Sequence, residues 1–277
     1  MFHSLAPAPN DGDSGMNRFT VLAITFLASA NFVLAQGNAA QPVQQVPQAG
    51  QSQLLQYLNR WEQEMLKIQT LVANIKLIEK DKTFETTTAS LGLAKYMKVG
   101  QGTSTVNLAS LELRKEGKVE LDKKFLCTGN FLYQVLFEAK EIRAFEMPKP
   151  KQGQVADDSF MSLLFGMKAE EAMKRYDLRV AMEDQWYIYM DIIPRFPADK
   201  ADFQRARVVF NRATFMPRQL WFEQPNGSEV TWDLPKIDTN IRLERSEFDA
   251  PRAPQGWKMV QEPLAQQGQP RVVRPKP

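Results

Sequence analysis

The sequence predicts an α+β protein, mainly antiparallel β, with an N-terminal helix and a helical insert on one sheet. Three observations carry this. Apolar residues first recur at helical spacing after Ser52. Between Thr70 and Leu243 the period becomes two, in roughly ten to twelve strand-like runs separated by turn signals. One stretch, residues 157–178, breaks that series with strong helix formers. Successive strands with short links pair antiparallel, because a parallel return needs a long crossover.

The ends read differently from the middle. Residues 16–36, MNRFTVLAITFLASANFVLAQ, have a positive Arg18, an apolar run from Phe19 and a small-residue cleavage pattern at Val33-Leu34-Ala35. This is an export leader, 16–35, with Met16 as the expected start and 1–35 as the leader region. An uncleaved anchor is the competing reading, against which the apolar run is short. The residue directly after the leader is Gln36 and not a cysteine, so a lipobox-type lipoprotein is excluded. Residues 36–51, rich in Gln, Pro, Ala and Gly, read as a flexible linker. Residues 261–277 repeat that character with Arg271, Arg274 and Lys276 and read as a disordered tail.

The domain expected between them is 52–260. Leu54, Leu58, Trp61, Met65 and Ile68 form one helical stripe, with Ser52 placed to cap it. Leu71, Ala73, Ile75 and Leu77 form an alternating set, as do Phe131, Tyr133, Val135 and Phe137. Leu178, Val180 and Met182 repeat the pattern, and so do Trp186, Ile188, Met190 and Ile192. In the insert, Asp157, Asp158 or Ser159 can cap a helix that puts Phe160, Leu163, Leu164 and Met167 on one face. A bulky apolar insert in mid-sheet usually covers an open face of that sheet.

Composition removes whole classes of function. The sole histidine is His3, ahead of the expected start, so imidazole catalysis and His-rich zinc sites are excluded. Cys127 is the lone cysteine, so no intrachain disulfide or thiolate metal site forms. It reads either as a buried strand residue or as a thiol activated by Lys123 and Lys124. Lys and Arg total 35 against 32 Asp and Glu, with no basic cluster, which argues against nucleic acid. The phosphate-cradling glycine motifs are absent. The paired carboxylates Asp157-Asp158, Glu170-Glu171, Glu183-Asp184 and Asp199/Asp202 fit caps and turns better than a hydrolytic pair. No catalytic residue, metal or cofactor is expected. Met161, Met167, Met173, Met182 and Met190 read as core filling or as an adaptable apolar binding surface.

One hairpin fixes its own register. In PRQLWFEQPNGSEVTWDLPKI, residues 217–237, a two-residue Asn226-Gly227 turn would mix apolar and polar faces. A three-residue loop puts Pro225 and Asn226 in a type I turn and Gly227 in the left-handed region. Leu220, Phe222, Val230, Trp232 and Leu234 then share one face. Trp221 falls on the other, with no partner evident from sequence.

The order of elements resembles the LolA/LolB-like superfamily of periplasmic lipoprotein carriers. A leader, an amphipathic helix and antiparallel strands are followed by GNFLYQVLFEAKEIRAFEMP, which resembles the carriers' DG-x-x-x-W-x-Y-x-P region. WYIYMDIIP resembles their aromatic-x-L-x-P strand and FDAPRAPQGWKMV their closing F-x-x-P-x-G. LLFGMKAEEA and QPNGSEVTWDLP are similar to a planctomycete LolA-like domain family. The resemblance covers residues 52–260 and implies an incomplete β-barrel whose concave face is covered by the 52–68 helix and the insert. It implies a hydrophobic cavity for lipid or lipoprotein acyl chains, with lid contacts Phe160, Leu163, Leu164 and Met167. Wall contacts would be Met190, Leu220, Phe222, Val230 and Trp232. The carriers' Arg-Pro pair is missing from LGLAKYMKVGQGTSTVNLA, where Lys95 and Lys98 are loose stand-ins. The expected protein is therefore an exported, soluble, non-enzymatic lipid-binding component of the periplasm or cell envelope. An envelope module with a filled sheet face that binds a protein partner is the alternative, and a carboxylate hydrolase the third reading.

Overall fold

Helix α1 (Gln48–Leu66) begins ahead of Ser52, so Ser52 lies inside the helix and does not cap it. The helix also takes in the last residues of the expected linker. Once the apolar stripe is docked, adding a turn upstream costs little, because nucleation is the expensive step. Leu54, Leu58, Trp61, Met65 and Ile68 are all buried, as the stripe requires. These positions come from a computed structural model that describes residues 48–100, 105–147 and 168–262. The leader, the C-terminal tail beyond Glu262 and the insert residues Phe160, Leu163, Leu164 and Met167 lie outside the described residues. No described helix is long and apolar enough to cross a membrane.

Six strands follow α1: β1 (Thr70–Asp81), β2 (Thr86–Val99), β3 (Val106–Lys115), β4 (Lys123–Cys127), β5 (Phe131–Leu136) and β6 (Glu141–Glu146). Helix α2 (Ala169–Arg175) leads directly into β7 (Tyr176–Glu183) and β8 (Tyr187–Pro194). After the short α3 (Pro197–Lys200) come β9 (Arg205–Asn211), β10 (Pro217–Glu223), β11 (Glu229–Thr239), a 3-10 turn (Arg245–Phe248) and β12 (Lys258–Glu262). All twelve strands form one sheet in the order β12-β6-β5-β4-β3-β2-β1-β11-β10-β9-β8-β7. Two meanders, β1–β6 and β7–β11, are joined by antiparallel pairing of β1 with β11. The sheet is not closed: β12 and β7 stand at its two ends.

One pair departs from the antiparallel expectation. β12 runs parallel to β6, with Lys258 opposite Glu141. The chain leaves β11 at Thr239, beside Leu71, and crosses the outer face before pairing. Leu243 and Phe248 cover Leu108, Leu126, Met97, Val99 and Tyr133 there, in a small second core. The crossing carries the chain to the end of the sheet where β6 starts, so the strand it forms runs with β6.

Covering both faces explains why one face assignment inverts. In β5, Leu132 belongs to the main core, and the expected set member Tyr133 packs into the outer cluster. A bulge between Val180 and Met182 turns Met182 out to solvent, opposite Tyr189. Trp186 precedes β8 and is exposed, while Ile188, Met190 and Ile192 are fully buried. Gly92 sits where β2 and β3 approach closely: a Cβ there would lie 2.4 Å from the Glu112 carbonyl oxygen.

Candidate functional site

The hairpin adopts the three-residue loop. Phe222 faces Val230 and Leu220 faces Trp232. Gly227 N–H donates to the Gln224 carbonyl at 2.9 Å, and Gly227 holds φ at 81°. Trp221 on the outer face is accounted for: its Nε1–H donates to Glu229 Oε2 at 3.0 Å, and Arg205 lies over its ring.

Cross-strand pairing then assembles the wall residues. Val180, Met190, Val208, Leu220, Trp232 and Leu77 form one continuous row across six strands. Phe222 and Val230 lie in the next row, opposite Ala206. Met190, Leu220, Phe222, Val230 and Trp232 are 1%, 3%, 4%, 3% and 7% exposed. They belong to the same apolar cluster as Leu58, Trp61 and Met65 of α1. Helix α1 is tied to this wing: Trp61 packs on Phe210 at 4.8 Å, and Tyr57 lies 5.8 Å from Phe215. Arg60 donates to the Ala213 carbonyl, and Tyr57 and Gln53 donate to Glu183. Lys168 offers α2 no side-chain cap, and Glu62 of α1 supplies the acceptor, taking the Ala169 N–H at 3.0 Å.

The inner face continues over the other wing. Ala73, Ala94, Leu111, Phe125 and Gln134 form a second row from β1 to β5. Leu71, Tyr96, Ala109, Cys127, Leu132 and Phe145 form a third. The Tyr96 hydroxyl donates to Asn107 Oδ1 at 2.9 Å, and burial pushes its pKa up to about 12. Periodicity placed Leu71 and Ala73 on one face of β1, but in β5 it pointed to Tyr133 and not to Leu132, which lies in this third row.

The carboxylates are structurally engaged. Glu183 accepts hydrogen bonds from α1 and pairs with Arg212 at 3.2 Å. Asp184 accepts the Trp186 and Tyr187 N–H groups at 2.7 Å, which holds its pKa below the ordinary value. Asp199 receives Arg175 in a two-pronged pair at 2.9 and 2.5 Å. Glu170 and Glu171 sit in the first turn of α2, where the helix dipole favours them. Asp157-Asp158 lies outside the described residues. Among the described residues, no group of three or more His, Cys, Asp or Glu is placed to hold a metal. Cys127 is buried, its thiol pKa pushed up by that burial. Lys95, one of the two stand-ins for the missing Arg-Pro pair, faces the outer side and binds Glu247 of the 3-10 turn. Lys98 pairs with Asn107. Of the methionines, Met190 is core, Met173 half-buried and Met182 exposed; Met161 and Met167 lie outside the described residues.

No protein-family model matches the chain, and no curated protein matches it. Solved structures do. An uncharacterised conserved protein from Thermus thermophilus is similar at 12% identity and TM-score 0.45, over 76% of this chain and 99% of that one. A putative outer membrane lipoprotein-sorting protein domain from Vibrio parahaemolyticus is similar at 12% identity and TM-score 0.39, over 70% and 95%. A LolA superfamily protein from Nitrosomonas europaea is similar at 9% identity and TM-score 0.31, over 73% and 98%.

Proposed function

We propose that this chain is an exported, non-enzymatic lipid- or lipoprotein-binding protein of the cell envelope, which holds acyl chains against the inner face of its open sheet. The observation that carries the reading is the continuity of that face. Apolar rows run from β7 to β6, while the hydrogen bonds and ring contacts of α1 described above fall on α2 and the β7–β10 wing. A chain laid on such a face gains about 0.8 kcal/mol per buried methylene and needs no reacting group. Leu111, Phe125 and Leu132 then serve as floor on one wing. Met190, Leu220, Phe222, Val230 and Trp232 serve as wall on the other, beneath α1. Phe160, Leu163, Leu164 and Met167 complete the proposal as contacts from the insert. No cofactor or metal takes part, and soluble export follows from the leader.

Native mass spectrometry of protein purified without detergent, followed by organic extraction, tests this. Co-purifying lipid is expected, together with uptake of a fluorescent acyl probe. Neither bound lipid nor probe uptake would overturn the reading.

The burial of the five wall residues favours a second reading. If α1 permanently fills the face, the chain is an envelope module that binds another protein. Probe uptake separates the two, since a filled face admits no acyl chain.

A further inference from the structure

Gln134 is out of keeping with its surroundings. It sits in β5 on the inner face, opposite Phe125 of β4, in the row that runs through Leu111 and Ala94 to Ala73. The residue is 2% exposed, and its amide oxygen is buried with no hydrogen-bond partner. Phe125 and Leu132 beside it are equally buried. A buried polar atom without a partner costs stability, and an apolar side chain of the same shape would remove that cost. A ligand that brought a hydrogen-bond donor to that oxygen would remove the same cost.

We infer that Gln134 is the polar anchor of the acyl-binding face, and that it selects acyl chains bearing an uncharged hydrogen-bond donor, an amide N–H or a hydroxyl. The inference rests on the acyl-binding reading and names the cargo of that same face. The free group is an acceptor oxygen, so the ligand must donate to it. An anionic head group fits less well. The neighbouring cation across the strand pair is Arg143, and its guanidinium is already paired with the Glu141 carboxylate. The site therefore offers no net positive charge to offset the burial of an anion.

The test is displacement of a bound fluorescent probe, N-phenyl-1-naphthylamine, by dodecanamide and by methyl dodecanoate. Both are neutral with the same chain, and the ester lacks a donor. Each dissociation constant is measured on the wild type and on Gln134→Met and Gln134→Leu. The expected result is a roughly tenfold loss of amide affinity relative to ester in the variants. Ester affinity itself should stay within about twofold, and thermal stability should rise. An amide-to-ester ratio unchanged by substitution overturns the anchor and leaves acyl binding standing. Failure of the wild type to take up the probe or either ligand overturns acyl binding, and the anchor with it. Failure of both variants to fold places Gln134 in the fold instead, and equally overturns the anchor.

Discussion

The indole N–H of Trp221 donates to the carboxylate of Glu229 at 3.0 Å, diagonally across the β10–β11 pair on the outer face. The Arg205 guanidinium lies 5.2 Å from the centre of the same ring. Glu229 also meets Lys80 of β1 at 3.4 Å, so one tryptophan ties three strands through its acceptor. Trp221→Phe keeps an aromatic ring at the site and deletes the N–H donor with the five-membered ring that carries it. A loss of about 1 kcal/mol is expected in urea unfolding. A cycle with Glu229→Gln should recover part of that loss as coupling.

Asp191 should contribute acid sensitivity at the β7–β9 edge. Burial pushes its carboxyl up, and hydrogen bonds from Arg207 at 2.6 Å and Arg179 at 2.9 Å more than reverse it, so its folded pKa lies below the ordinary value. A depressed folded pKa contributes stability above the unfolded pKa, near pH 4, and loses it as pH falls through the folded value. Asp191→Asn should therefore lower stability at pH 7 and flatten the fall below about pH 4. Urea midpoints taken across that range check it.

Gly227 and Gly117 both hold a positive φ, 81° and 80°. A Cβ on Gly227 would lie 2.7 Å from Lys82 Cδ, whereas one on Gly117 meets nothing within 4 Å. Alanine at either should cost roughly 1–2 kcal/mol from backbone strain. Gly227→Ala should cost slightly more, since the end of Lys82 must also move. Equal losses in chemical denaturation would count against the contact.

Arg175 and Asp199 form a bidentate pair whose side chains are 16% and 6% exposed. Asp199→Ala strands a largely buried guanidinium, and a loss of about 3 kcal/mol is expected. Arg175→Met with Asp199→Leu should recover most of it, because neither charge is then left alone. Thermal unfolding of the two variants beside the wild type is the measurement.

Cys127 lies on the inner face with its thiol pKa raised by burial, so the thiolate that would react is doubly disfavoured. Labelling by a disulfide reagent should be negligible in the folded protein. It should become complete in urea, with a rate that follows unfolding. Rapid native labelling would show that the inner face opens at β4.

Much of this architecture was legible in the sequence because it follows from local periodicity. The Leu54–Ile68 stripe, the Leu71–Leu77 alternation and the 225–227 loop are set by spacings of two to four residues. Ser52 as a cap failed because helix ends answer to tertiary packing. Met182 was misplaced because a single bulged residue inverts every side chain after it. Tyr133 was misplaced because a strand covered on both faces carries no one-sided signal.

The sequence by itself determined the class of the protein: a helix followed by antiparallel strands, with an aromatic hairpin of defined register. Periodicity and composition suffice for that, since each involves neighbours along the chain. Only the tertiary structure decided that β12 returns parallel to β6, that Trp221 belongs to Glu229 and Arg205, and that the Gln134 amide oxygen is buried without a partner beside Phe125. Those facts join residues on different strands, and pairing across a sheet has no counterpart in the order of the chain.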